Sequence, residues 1–358
     1  MSLEFAVFKA GDRLPRQREL FENAFPEHQG MPTASLEHYQ WKFHGLPWYP
    51  QSYEYEAAED GRMLGYYAAL PYPYEIAGRA MLAGMVCDVM THSEARGRGV
   101  FTELGRFALG EMQVSELAFV MGYPIRPEVM GGHMRVGWQV GFKLPMYIRP
   151  LRANAILRSK RLGLLAPAAN AVIVAQRAAL ARLPAAKGYA SRSGSPSELL
   201  GSGSFAALVA GWAASVPNHL VKSAEFYQWR LGAPGVAYRV FMAHRGDEVV
   251  AAAIGREATL YGIPSFALLD LMVLPGHERA LMTLYRDIEC WALRGGAEAL
   301  VTMVSRSRAR QYRLARSGFL RSPYAFSLIA RSVSDGIAVE SLAREADWHL
   351  MWIDSDDL

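Results

Sequence analysis

The chain repeats itself, and that repeat limits its fold more than any other feature. Glu37-His38-Tyr39-Gln40-Trp41-Lys42 recurs as Glu225-Phe226-Tyr227-Gln228-Trp229-Arg230. Tyr53 to Tyr67 reads as a strand, a turn at Asp60-Gly61 and a second strand, and Tyr238 to Ala252 does the same around Gly246-Asp247. Cys87-Asp88-Val89-Met90 is echoed by Leu269-Asp270-Leu271-Met272, and Glu116 to Gly122 by Glu298 to Val304. Arg135-Val136-Gly137-Trp138 is matched by Arg316-Ser317-Gly318-Phe319. These five matches keep one order while their offset drifts only from 188 to 181 residues, so a tandem duplication is expected.

Each repeat reads as helix, hairpin, apolar strand, helix, apolar strand, helix, strand. That order predicts an α/β class with mixed sheets flanked by helices. Phe101 to Met112 is an amphipathic helix, with Phe101, Leu104, Phe107 and Ala108 on one face. Leu117 to Met121 is a short buried strand, and Gly137 is a left-handed helix stop. Four segments follow in order: 1–150, the first domain; 151–204, a basic helical connector running into a flexible Ser/Gly linker from Ser191 to Ser204; 205–334, the second domain; and 335–358, an acidic, aromatic tail. The tryptophans Trp348 and Trp352 predict that this tail docks on the body of the protein.

With 358 residues, 51% hydrophobic and 20% charged, the chain has the make-up of a two-domain globular protein. Its two cysteines, Cys87 and Cys290, lie far apart with no metal spacing, so no metal is expected and a reduced, cytoplasmic compartment fits. The N-terminus, with Glu4, Lys9 and Asp12, lacks the apolar core of a secretory signal. The longest apolar run, Leu162 to Ala175, falls short of the roughly 18 residues of a membrane span, so no span is expected.

The net charge of +4 is uneven. Between Leu151 and Pro196 stand Arg152, Arg158, Lys160, Arg161, Arg177, Arg182, Lys187 and Arg192 with no acid, whereas the tail carries Asp347, Asp354, Asp356 and Asp357. The basic stretch reads either as a solvated connector or as a contact for an anionic surface, with peripheral membrane contact through 151–196 as one form. Sequence-specific nucleic-acid binding is not expected. Self-association stays open.

The segment with chemistry runs from Cys87 to Phe101: a strand ending near Thr91, the basic turn Arg96-Gly97-Arg98-Gly99, and a helix beginning near Gly99. Glycines let the backbone approach a ligand, and free N–H groups at a helix start attract an anion, so the turn reads as a pyrophosphate cradle. It reads also as a flexible loop or a nonspecific anion patch. It lacks the third glycine of a Rossmann fingerprint and the Gly-Lys-Ser/Thr of a Walker loop.

Arg96-Gly97-Arg98-Gly99-Val100-Phe101 resembles the Gln/Arg-x-x-Gly-x-Gly/Ala phosphate loop of the GNAT superfamily of N-acetyltransferases, with Phe101 where that family has a small residue. The Arg-Gly-x-Gly-x-Phe-Thr run and the Tyr-x-Trp-Lys/Arg motif of each repeat resemble tandem members of that superfamily. The tail resembles the ends of some tandem members linked to surface-polysaccharide synthesis. The resemblance covers about 1–150 strongly and about 205–334 weakly.

The resemblance implies tandem GNAT-like domains and an acyl-CoA co-substrate, acetyl-CoA or another. Backbone groups of Val89, Met90 and Thr91 would meet the pantetheine arm. Amides of Gly97, Arg98, Gly99, Val100, Phe101 and Thr102, with Arg96 beside them, would hold the pyrophosphate. A splay between the strands at Val86 to Thr91 and Leu117 to Met121 would admit the thioester, and a primary amine of a small molecule or peptide would attack it directly. His133 stands where many members place a proton-donating Tyr, and Asp88 is positioned to deprotonate or orient the amine.

Each of these side chains also has a packing or solvated reading. His133 would pack in its helix, and Asp88, echoed by Asp270, would pair with an Arg or Trp. His92 and Glu94 would be solvated, Cys87 buried and inert, and Arg126 and Glu128 ordinary loop charges. In the second repeat the loop reads Val273-Leu274-Pro275-Gly276-His277-Glu278-Arg279, with one glycine and no paired arginines, so that copy is expected to have lost coenzyme binding. The expected activity is an acyl-CoA-dependent N-acyltransferase. A non-catalytic acyl-CoA or partner-binding module is the alternative, and a Fem-like aminoacyl transferase a more distant one.

Overall fold

The computed structural model describes residues 3–124, 126–182 and 188–355. Lys187, Asp356 and Asp357 lie outside the described residues. The first repeat forms β1 (Glu4–Val7), α1 (Ala10–Ala24), α2 (Leu36–His44), β2 (Tyr53–Glu59), β3 (Arg62–Ile76), β4 (Arg79–Thr91), α3 (Val100–Gln113), β5 (Leu117–Gly122), α4 (Pro127–Arg135) and β6 (Gln139–Pro150). The connector forms α5 (Asn154–Ser159), α6 (Ala166–Arg182), β7 (Ala190–Gly194) and α7 (Pro196–Leu199). Then come α8 (Gly203–Ala213), β8 (Asn218–Leu220), α9 (Ala224–Arg230), β9 (Arg239–Arg245), β10 (Glu248–Leu260), β11 (Ile263–Val273), α10 (Ala280–Arg294), β12 (Ala299–Met303), α11 (Arg306–Gln311), β13 (Leu320–Ser332) and β14 (Trp348–His349).

The chain folds into two compact units that cut across the linear order of its repeats. The first holds Met1–Phe142, Glu225–Val236 and Phe326–Arg344. Its strands run β1-β2-β3-β4-β5-β13, with β4 and β5 parallel and the other neighbours antiparallel. The second unit holds Lys143–Ala224, Ala237–Ala325 and Glu345–Leu358. Its strands run β7-β9-β10-β11-β12-β6, with β11 and β12 parallel. Each sheet is thus completed by the last strand of the other repeat. Ile329 to Ser332 of β13 pair with Gly122 to Phe119 of β5, and Met146 to Pro150 of β6 pair with Met303 to Ala299 of β12.

The first unit also contains the repeated Tyr-Gln-Trp motifs of α2 and α9. Trp41 donates its indole N–H to the Trp229 carbonyl at 2.7 Å, and Trp229 donates back to the Trp41 carbonyl at 2.9 Å. Their rings stack at 5.0 Å. Helix α3 buries Val100, Leu104, Ala108, Leu109 and Met112, the i, i+4 stripe of an amphipathic helix. Gly65 of β3 permits that packing, because a Cβ there would stand 2.8 Å from Val100 Cγ1.

The stretch Ser191 to Ser204 is not a free linker. Ala190 to Gly194 form β7, paired antiparallel with β9, and Ser195 caps α7 in a capping box. The segment carries no β-branched or aromatic residue, so propensity hides it. An edge strand with an alternating Ser/Arg pattern needs little apolar content.

The tail docks as expected. Trp348 and Trp352 are buried, and β14 pairs in parallel with β8. Fully buried beside it, Lys222 Nζ lies 2.7 Å from Asp270 and 3.2 Å from Asp354. Burial raises the Asp354 carboxyl to about 6. Removing one partner of a buried pair strands the other charge, at a cost of about 3–5 kcal/mol. Asp270→Ala is therefore expected to lower unfolding stability by that order in denaturant titration, whereas Arg192→Ala on the β7 edge is expected to change it by under about 0.5 kcal/mol.

Candidate active site

Strand β4 pairs with β5 from Leu82↔Leu117 to Met85↔Met121, and the register stops there although β4 continues to Thr91. No β5 register partner is described for Val86 or for Asp88 to Thr91, so the parallel strands part beyond Met85 and open a wedge. On its other edge β4 stays paired with β3 as far as Gly65↔Thr91, with a bulge between Tyr66 and Ala68. Asp88 sits at that bulge with φ of 45°, a left-handed conformation that a non-glycine residue adopts at a cost. Bulges re-aim side chains next to active sites.

Asp88 is held by Lys42 of α2, whose Nζ lies 2.9 Å from the carboxylate. Its echo Asp270 is likewise paired with a lysine, where an Arg or Trp partner was expected. The two sites differ in access, with Asp88 about 14% exposed and Asp270 sealed. Around Lys42 and Asp88 stand further polar groups that the sequence reading missed. Glu54 accepts from the hydroxyls of Tyr39 at 2.6 Å and Tyr66 at 2.5 Å, and from Ser52 at 2.9 Å. Burial, then the Glu54 charge, pushes both tyrosine hydroxyls up, so they remain protonated donors. The Arg18 guanidinium lies over the Phe21 and Tyr39 rings, its pKa lowered by burial against the opposing pull of Asp88. The signal for Lys42 was present in the repeated Tyr-Gln-Trp-Lys/Arg motif. Arg18 and Glu54 lie in segments whose pattern only marks a helix and a strand.

After β4, Gly97 and Gly99 adopt φ of 80° and 85°, and Gly99 caps α3. A Cβ at Gly97 would meet nothing, so its requirement is conformational. The Arg98 and Thr102 amides are committed within the turn, to Ala95 and Gly99, whereas those of Gly97, Gly99, Val100 and Phe101 enter none of its turn hydrogen bonds. Arg96 is exposed, and Arg98 forms a two-pronged pair with Glu59 at 2.7 and 2.9 Å.

Phe101, the departure from the family pattern, packs against Gly132 of α4, where a Cβ would stand 2.4 Å from its ring. Its ring also meets His133 edge-on at 5.0 Å, and His133 meets Trp138 at 5.1 Å. This burial lowers the His133 pKa to about 4, so the imidazole is neutral at neutral pH. No described hydrogen bond joins His133 to Asp88. Cys87 is buried. His92, expected to be solvated, is buried and contacts Arg62 at 3.0 Å, while Glu94 is exposed and paired with Arg62. Arg126 pairs with Glu27 and lies over Phe25, and Glu128 is exposed.

In the second unit the tail takes the corresponding place. His349 Nε2 lies 3.1 Å from the carbonyl of Leu271, the counterpart of Val89. The Gly276 turn is closed on itself by Glu278, which accepts from the Gly276 amide at 3.1 Å. The backbone that would meet a pantetheine arm is thus already engaged by the chain's own C-terminus.

The family model described as "Acetyltransferase (GNAT) domain" matches residues 11–141. The first repeat thus matches a GNAT domain. The fold of nearly the whole chain follows the same pattern. The GCN5-related N-acetyltransferase of Anabaena variabilis superposes with a TM-score of 0.66 at 11% identity, covering 93% of this chain and 73% of that one. The Kribbella flavida GCN5-related N-acetyltransferase gives 0.59 at 11% identity, covering 92% and 71%. Saccharomyces cerevisiae N-myristoyltransferase with bound myristoyl-CoA gives 0.61 at 11% identity, covering 92% and 82%. No curated protein matches the sequence. The domain match and the fold together support acyl-CoA-dependent N-acyl transfer as the class of reaction.

The depressed His133 pKa has a sign that can be checked. The unfolded chain binds a proton there below about pH 6.5 that the folded chain refuses until about pH 4. Stability is therefore lost as pH falls through that window, by about 2–3 kcal/mol at its acid end. Comparing wild type with His133→Leu in denaturant titrations at pH 7 and pH 4.5 is expected to show a smaller acid loss in the variant.

Proposed function

We propose that this chain transfers an acyl group from an acyl-CoA, acetyl-CoA in the simplest case, to a primary amine of a small molecule or peptide. The observation that carries this reading is the wedge between β4 and β5, bounded by Asp88 at the bulge and leading along Val89, Met90 and Thr91 to the Arg96–Thr102 turn. Unpaired backbone groups of β4 suit an amide-bearing arm, and the uncommitted amides of Gly97, Gly99, Val100 and Phe101 with the Arg96 charge suit a pyrophosphate. Bound there, the acyl-CoA would supply an activated thioester carbonyl.

The chain's own groups act on the acceptor. Direct attack needs a neutral amine with its lone pair aimed at the wedge. Asp88, an acid strained into the opening, accepts an N–H of the amine and takes up the proton it releases as the C–N bond forms and the C–S bond breaks. The coenzyme leaves as a thiolate that takes its proton from solvent. Lys42 holds that carboxylate of Asp88 in place at 2.9 Å. His133 is assigned the support of Phe101, because a group that binds a proton only near pH 4 holds none to give at neutral pH. The N-myristoyltransferase neighbour argues for including a long chain among the acyl groups tried.

Acetyl-CoA, free CoA and myristoyl-CoA are expected to raise the melting temperature, the stabilisation being about 2.7 kcal/mol at a hundredfold excess over Kd. Arg96→Glu is expected to weaken that shift without lowering the unliganded melting temperature. Asp88→Asn is expected to keep coenzyme binding and to slow amine-dependent thiol release about 10²–10⁴-fold. A shift without thiol release across an amine panel would favour a binding module, and no shift with any of the three would overturn the reading.

A further inference from the structure

Helix α6 is built inside out for a solvent-facing helix. Its inward side carries Asn170, which accepts from the Ala153 amide at 2.7 Å, and Arg177, which pairs with Glu289. Among its described residues Ile173 alone is buried, at 9% exposure. Its outward side reads Pro167, Ala168, Ala171, Val172, Val174, Ala175, Gln176, Ala178 and Ala179, all exposed and with no charge among them. Just before it, Leu164 is 99% exposed, and Leu162 and Leu165 are about half exposed. Of the fourteen large exposed apolar side chains among the described residues, five fall between Leu162 and Val174. A face of this kind is a contact surface.

The window Gly163–Leu180 is long and apolar enough, by length and composition, to cross a membrane, because Arg177 is its one charge. The sequence expectation ended the apolar run at Ala175 and so counted it shorter than a span. The packing argues against crossing: a spanning helix would have to withdraw Asn170 and Arg177 from their partners.

Charge selects the occupant. The apolar face is flanked by the exposed Lys160 and Arg161 at one end and Arg182 at the other, with Arg158 also exposed nearby. Leu151 to Pro196 contains no acid. A two-fold contact between copies of this face would bring cations against cations. A nucleic acid would match the charge but leave the leucines and valines in water. An anionic lipid surface satisfies both, with headgroups for the cations and the acyl boundary for the apolar side chains.

We propose that α6 and the Leu162–Leu165 turn lie in the plane of an anionic membrane surface, inserting Leu164, Leu165, Val172 and Val174. The proposal stands apart from the acyl-transfer reading and adds where the protein works.

The test is flotation of the full chain with phosphatidylcholine vesicles, with and without roughly one-third phosphatidylglycerol. Binding is expected only with the anionic lipid and is expected to fall with added salt. Val172→Asp with Val174→Asp, at two exposed positions that leave the fold intact by circular dichroism, is expected to abolish it. Each of Lys160→Ala, Arg161→Ala and Arg182→Ala is expected to weaken it about fivefold. No binding at low salt would overturn the proposal. So would binding that the two aspartates leave unchanged, resistance to alkaline extraction (a span), or a dimer that the aspartates dissolve in the absence of lipid binding.

Discussion

A parallel strand pair at the rim of a sheet leaves a row of backbone N–H and C=O groups to be satisfied, and the molecule answers this twice with borrowed strands. β5 receives β13, and β12 receives β6. Everything that matters for the candidate site hangs on the first of these exchanges. With β13 hydrogen-bonded along its outer edge, β5 keeps its course while β4 diverges from it beyond Met85, and a wedge can exist in an otherwise continuous sheet. Arg331 of β13 reinforces this by donating to the carbonyl of Val136, at the end of the helix that carries Gly132 and His133.

The two copies began with the same parts and diverged in what they do with one lysine-paired aspartate. In the first unit Asp88 keeps a strained backbone and a thin exposure, and the turn after it stays glycine-rich and basic. In the second, Asp270 is sealed, its lysine is shared with Asp354, and His349 occupies the strand backbone. At the corresponding place the second unit holds a peptide segment of its own, fixed by two buried tryptophans.

Much of this was legible in the sequence. The hairpins at Asp60-Gly61 and Gly246-Asp247, the Gly137 stop and the Arg96–Phe101 turn are local features, written in residues a few places apart, and they fold where expected. The return of the tail was legible because two tryptophans near a terminus have few places to go. Strand exchange left no local mark, since either copy of the final strand offers the same pattern to either sheet. Glu54, Tyr66 and Arg18 escaped notice for a related reason: their chemistry appears only once β2, β3 and α1 bring them beside Lys42. Phe101 looked like a departure from the family pattern, and the compensating Gly132 stands thirty-one residues away.

The borrowed strand also sets an order of events in the life of each molecule. The first domain's sheet is closed by Ile329 to Ser332, whereas every candidate site group lies before residue 134, so the closing strand is made about two hundred residues after them. Until that strand is in place, the candidate site groups stand on a sheet whose β5 edge is open, and an open strand edge invites pairing with other chains. Assembly of the candidate site thus waits on a segment remote from it in sequence.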